Sequence, residues 1–215
     1  MAKCVLFDLD GTLIDSGEGI TEGVRYALEK FNKPPLDLKT RQSFIGPSLR
    51  EMFKIHSGVN DEEAEEMLRL YREYYGVEGL YKCIPYDGIE DVLKYLSEKG
   101  CSIYVATAKP TEYAEKMLKK WNLFGYFKKV IGASFDKSKT EKKDIIADVL
   151  ALEGTDEAIM IGDTAFDIEG AKENDISSIA VTYGYGDLEK LENSNPDHVA
   201  GSVLELFDLL KTLCR

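Results

Sequence analysis

Val5-Leu6-Phe7-Asp8-Leu9-Asp10-Gly11-Thr12-Leu13-Ile14-Asp15 runs from three apolar residues straight into two carboxylates and a glycine. An unbroken apolar run of this kind suits a strand covered on both faces. In an open α/β sheet, ligands bind beyond the carboxyl ends of the strands, where Asp8 and Asp10 would stand. Side chains alternate along a strand, so two carboxylates two residues apart point the same way. Gly11 then permits a tight turn. Carboxylates crowded in this way repel unless a cation relieves them. A hard divalent ion with oxygen ligands does so, and Mg²⁺ is the common choice beside phosphate. Asp-x-Asp-Gly also opens calcium loops, but the twelfth position counted from Asp8 is Gly19 rather than a bidentate Glu. That disfavours an EF-hand.

Further short apolar runs follow at Ile103-Tyr104-Val105-Ala106, Val130-Ile131, Ala158-Ile159-Met160-Ile161 and Ile179-Ala180-Val181. Between them lie stripes at helical spacing: Ile89, Val92, Leu93 and Leu96; Tyr113, Met117, Leu118 and Trp121; Ile145, Ile146, Val149 and Leu150. Val203, Leu206, Phe207 and Leu210 form a terminal one. Alternating strands and helices predict an α/β fold, a Rossmann-like parallel sheet with helices on both faces. From about Ser16 to Cys83 the alternation stops. Ile20, Val24, Ala27, Leu28 and Phe31 form one helical stripe, and Ala64, Met67, Leu68, Tyr71, Tyr74 and Tyr75 another. This block reads as an inserted helical domain, giving an expected division into an α/β core of residues 1–15 and 84–215 and a helical cap of 16–83.

Three more strand ends carry chemistry. Val105-Ala106-Thr107-Ala108-Lys109 ends in a hydroxyl able to donate to a phosphate oxygen. Lys137-Ser138-Lys139-Thr140-Glu141-Lys142-Lys143-Asp144-Ile145-Ile146 places lysines at a helix start, where the dipole prefers anions, so one of them is expected to face an anion. Ile159-Met160-Ile161-Gly162-Asp163-Thr164-Ala165-Phe166-Asp167 again meets a carboxylate. Asp163 would complete a metal site with Asp8 and Asp10. Asp167 would orient Asp163, a metal-bound water or the lysine.

Composition narrows the partners. The chain has 215 residues and a net charge of −12. No basic block marks a nucleic-acid face, and the acidic balance argues against a polyanion or an anionic membrane as the main partner. A small anion in a locally positive pocket is compatible with it. Cys4, Cys83, Cys101 and Cys214 form no CxxC pair, and His56 and His198 are the only histidines, which disfavours zinc. Reduced thiols in a cytoplasmic protein are expected. Charge arrives too early in the N-terminal residues for a signal peptide.

Taken in order, these four strand-end elements resemble the motif set of the haloacid dehalogenase-like hydrolases, in particular the phosphoglycolate phosphatase-like branch. The resemblance covers essentially the whole chain: DLDGTL at Asp8–Leu13, GDTAFD at Gly162–Asp167, and a helical block between the first two motifs. It implies a Mg²⁺-dependent phosphatase acting on a small phosphate monoester such as phosphoglycolate or a nucleoside monophosphate. Asp8 would be the nucleophile and Asp10 the general acid/base. Thr107 would bind the transferring phosphate. Asp8, the backbone carbonyl of Asp10 and Asp163 would bind the metal, with Asp167 as an outer or water-mediated ligand. For the phosphate-binding lysine the resemblance selects Lys142, with Lys139 and Lys143 as fallbacks. Arg50, after the Gly46-Pro47 turn and a possible Ser48 cap, would reach the substrate, with Thr21, Phe44 and Tyr75 as further contributors from the helical block. A sugar-phosphate mutase of the same superfamily and a receiver-like phosphoacceptor domain are the alternative readings.

Overall fold

A computed structural model describes residues 3–133 and 141–214. The chain separates into two compact units, Met1–Ile14 with Pro85–Arg215, and Asp15–Ile84. It passes between them at β2 (Ile14–Asp15) and β3 (Ile84–Pro85), which form a two-stranded sheet.

The first unit starts with β1 (Cys4–Phe7). After β3 it continues through α5 (Ile89–Glu98), β4 (Ser102–Pro110), α6 (Thr111–Lys120), β5 (Lys129–Ala133), α7 (Lys142–Glu153), β6 (Ala158–Gly162), α8 (Ala165–Glu173), β7 (Ser177–Val181), α9 (Leu188–Asn193), β8 (His198–Ala200) and α10 (Val203–Leu213). The six longer-range strands make one sheet in the order β5-β4-β1-β6-β7-β8, every pair parallel. β1 lies in the middle, which explains its unbroken apolar run: both faces are covered. Cys4 and Leu6 join Tyr104, Ala106, Ala158 and Met160 in packing against Ile145, Ile146 and Val149 of α7 and Ala171 of α8. The alternate residues Val5, Phe7, Ile103, Val105, Ile159 and Ile161 are buried on the other face.

Register fixes where the strand ends fall. Phe7 pairs with Val105 on one side and with Ile161 on the other. Asp8, Thr107 and Asp163 therefore leave the sheet at one carboxyl edge. The expected strands are all present, and β8 is an addition at the sheet's edge.

The second unit contains α1 (Gly17–Lys30), α2 (Leu38–Gln42), α3 (Leu49–Ser57) and α4 (Asp61–Tyr75). Ile20, Val24, Ala27 and Leu28 of α1 are buried, as are Ala64, Met67, Leu68, Tyr71 and Tyr75 of α4, and these two helices pack together. A capping box between Asn60 and Glu63 starts α4. Ser48 stands at the N-cap of α3, but its hydroxyl makes no capping hydrogen bond. Among the described residues no helix is long and apolar enough to cross a membrane.

Candidate active site

At the carboxyl edge of β1 the chain turns sharply. The Asp8 amide still donates to Ile161 O at 2.8 Å, and the Gly11 amide then closes a turn onto Ile14 O at 2.9 Å. Gly11 has a φ of 83°, and a Cβ there would lie 2.2 Å from Asp163 Oδ2. Both the backbone conformation and the available space demand glycine. This close approach lets the Thr12 hydroxyl donate to Asp163 Oδ1 at 3.3 Å.

One oxygen from each of Asp8, Asp163 and Asp167 comes within 4.8 Å of the others, and all three residues are buried. Asp163 is held from a second direction by the loop after β7: the Tyr185 and Gly186 amides donate to its Oδ2 at 2.8 and 3.2 Å. Tyr183 anchors that loop by donating to Thr12 O at 3.0 Å. Asp167 sits in the first turn of α8, where its Oδ2 accepts from the Thr164 amide at 3.1 Å and the Thr164 hydroxyl at 2.8 Å.

Lys142 bridges the cluster. Its Nζ lies 2.9 Å from Asp8 Oδ1 and 2.8 Å from Asp167 Oδ1, and donates to Ala106 O at 3.0 Å. The two carboxylate approaches are ion pairs without hydrogen-bond alignment: neither Asp8 Oδ1 nor Asp167 Oδ1 accepts a well-directed hydrogen bond. Burial works against the Lys142 ammonium, but Asp167 and Asp8 more than offset it and hold its pKa above the ordinary lysine range. Burial, with Asp8 and Asp167 adding to it, pushes Asp163 up to about 8 despite the Tyr185 amide and Lys142. Asp167 is also raised, first by burial and then by Asp8, with Lys142 opposing.

The remaining expected residues fall as follows. Thr107 is buried within β4 at the start of its bulge, its Oγ1 accepting from the Lys109 amide at 3.2 Å. The Asp10 carboxylate takes no part in the three-acid cluster; both its oxygens accept from Lys109 Nζ. Lys143 points outward to Glu141 and Glu173. Lys139 lies outside the described residues. Arg50 belongs to the helical unit, where its guanidinium pairs with Glu51, Asp61 and Glu65. Thr21, Phe44 and Tyr75 are buried in that unit, and the Thr21 hydroxyl donates to Gly17 O. Sequence reading missed Lys109 and Thr12 as site residues.

The donor set fits a hard divalent cation. Three carboxylates converge with oxygen as the only ligand type, and two buried oxygens lack directed donors. The four carboxylates Asp8, Asp10, Asp163 and Asp167 against the ammonium groups of Lys109 and Lys142 leave a formal excess of two negative charges.

Comparison with known proteins points the same way. A family model described as haloacid dehalogenase-like hydrolase matches residues 5–181. A 5'-nucleotidase of Pseudomonas aeruginosa is 36% identical over 210 residues, covering 97% of this chain and 95% of the relative. Phosphoglycolate phosphatase 1 of the same organism is 28% identical, covering 96% and 79%. The crystal structure of a predicted phosphatase from Clostridium acetobutylicum superposes with a TM-score of 0.93 at 38% identity and covers 99% of both chains.

Proposed function

We propose, from the premise that this chain belongs to the haloacid dehalogenase-like hydrolase family and is a phosphoric monoester hydrolase, that it works with Mg²⁺ through an aspartyl-phosphate on Asp8. The observation that carries the reading is the convergence of Asp8, Asp163 and Asp167 on one small volume beside the Lys142 ammonium.

Asp8, Asp163 and the backbone carbonyl of Asp10 would hold the metal, with Asp167 behind them. Mg²⁺, when bound, supplies positive charge that offsets repulsion between a carboxylate nucleophile and a phosphate dianion. Asp8 attacks phosphorus in line and the ester oxygen departs. Asp10 gives that oxygen a proton, then takes one from the water that hydrolyses the acyl-phosphate. Lys142 is held by Asp8 and Asp167 within reach of the transferred group's oxygens, where transition-state charge resides. Thr107 keeps its hydroxyl hydrogen for a phosphate oxygen, because its own oxygen already accepts from the Lys109 amide.

The substrate class we propose is a small monoester of the nucleoside monophosphate or phosphoglycolate kind, and the names of the two bacterial relatives support it. A panel of monoesters assayed for phosphate release with Mg²⁺ and with a chelator, ranked by kcat/KM, tests the proposal. Metal-dependent release from one of these classes is expected, with none from Asp8→Asn. Turnover unaffected by chelation, or surviving in Asp8→Asn, would overturn it. Interconversion of sugar phosphates with little free phosphate would select the mutase reading.

A further inference from the structure

Lys109 is a buried ammonium that the steps above leave without a role. Its Nζ donates to both oxygens of Asp10, at 2.9 and 2.8 Å, with side-chain exposures of only 5% for the lysine and 12% for the acid. Lysine is rarely buried to this degree unless it is paired, because desolvating the ammonium is costly. The chain commits several devices to placing it.

Strand register is the first. Thr107 of β4 pairs with Gly132 of β5, and the next pair is Pro110 with Ala133, so β4 advances three residues while β5 advances one. Ala108 and Lys109 fall in that bulge. Bulges beside active sites turn a side chain out of the strand's regular alternation. Gly132 is the second device. A Cβ there would stand 2.2 Å from Lys109 O and 2.8 Å from the Thr111 amide, so only glycine admits the bulged backbone. Two side-chain bonds complete the arrangement: Thr107 Oγ1 accepts from the Lys109 amide, and Thr111 Oγ1 accepts from the Gly132 amide at 2.9 Å.

We infer that Lys109 is a positioning residue that aims Asp10 at the leaving-group oxygen. The inference rests on the reading of Asp10 as general acid given above. A carboxyl group turns about two side-chain torsions. One ammonium bridging both oxygens fixes its plane as well as its place. When Asp10 carries the proton, one oxygen stays on Lys109 and the other faces the leaving group. As the ester O–P bond breaks, the proton passes to the departing oxygen, and the freed carboxylate again has both oxygens for the ammonium. General acid transfer needs a heavy-atom approach of about 3 Å. Misplacing a reacting group by about 1 Å can cost on the order of 10²-fold.

Leaving groups separate this role from a structural one. An aryl ester such as p-nitrophenyl phosphate departs as a stabilised phenolate and needs little proton donation, whereas an alkyl ester such as glycerol phosphate needs a great deal. Both esters are assayed with Mg²⁺ in the full chain, in wild type and in Asp10→Asn, Lys109→Met and Lys109→Arg. The comparison is made on kcat/KM, which reports the steps through departure of the leaving group and not the later attack of water that Asp10 also serves. Expected for Lys109→Met is a kcat/KM loss on the order of 10- to 100-fold on the alkyl ester, whereas the aryl ester should keep its kcat/KM within about threefold. Lys109→Arg should restore part of the loss, because a guanidinium can also bridge a carboxylate. Asp10→Asn should show the same selectivity, only stronger. Equal losses on the two esters, or no loss on either, in a Lys109→Met protein that melts cooperatively would overturn the inference. If that protein does not fold, Lys109→Gln carries the same comparison. If Asp10→Asn itself shows no selectivity, the assignment of Asp10 fails and the role of Lys109 falls with it.

Discussion

Lys142 occupies the first position of α7 and shares the buried stripe of Ile145, Ile146 and Val149. That spacing separates it from its neighbours. Lys143, one residue on, falls off the stripe and finds exposed glutamates instead. The choice among the lysines was therefore partly legible from helical period, although a charged residue on an apolar stripe usually marks the stripe's end. Asp8 and Asp163 were legible from their places at strand ends. Lys109 was not, because a lysine closing a strand ordinarily reaches solvent, and its burial comes from a bulge that only the paired strand reveals. Two expected outcomes belong here. Lys142→Ala should lower kcat by about 10²-fold or more, comparable to removing one electrostatic stabiliser. Lys143→Ala should leave kcat within about twofold, since exposed ion pairs contribute little. Steady-state kinetics on one ester reads both.

Elements rather than residues account for what the sequence concealed in the fold. β8 is His198–Ala200, with only Ala200 fully buried, so it presents no apolar run. It becomes a strand by pairing with β7, as Val181 meets Ala200. The longer strands announced themselves because both faces are covered, and the helices because their stripes keep a 3.6-residue period. The β4 bulge yields a further expectation. Gly132→Ala forces a methyl group against the Lys109 carbonyl, and overpacking of this kind costs about 1–3 kcal/mol. Denaturant unfolding should show that loss of stability, and kcat/KM for an alkyl ester should fall more than that for an aryl ester as Lys109 shifts. A variant as stable as wild type would show that the bulge tolerates a side chain.

For the molecule as a whole, the crowded acids couple stability to pH and to metal. Asp163 rises from 3.8 to about 8 in the fold, so the native protein binds a proton that the unfolded chain releases. Stability from this source is complete below the ordinary carboxylate range and is lost as pH rises from about 4 through about 8. A divalent cation competes for the same oxygens and is bound with release of protons. The Tm of chelator-treated protein should thus fall as pH is raised from 5 to 8. Saturating Mg²⁺ should raise Tm more at pH 8 than at pH 5, and Asp163→Asn should flatten the metal-free slope. Thermal melts across pH with and without Mg²⁺ measure all three. The central position of β1 has one more consequence, which concerns insertions and deletions rather than substitutions. Both neighbouring strands take their alignment from Phe7, so losing one residue within Val5–Phe7 would reverse the parity of everything after it, turning core side chains and carboxylates toward opposite faces together. Losing two would keep parity and withdraw the acids by roughly 6–7 Å along the strand. Natural length variation should therefore collect in loops and spare this short segment.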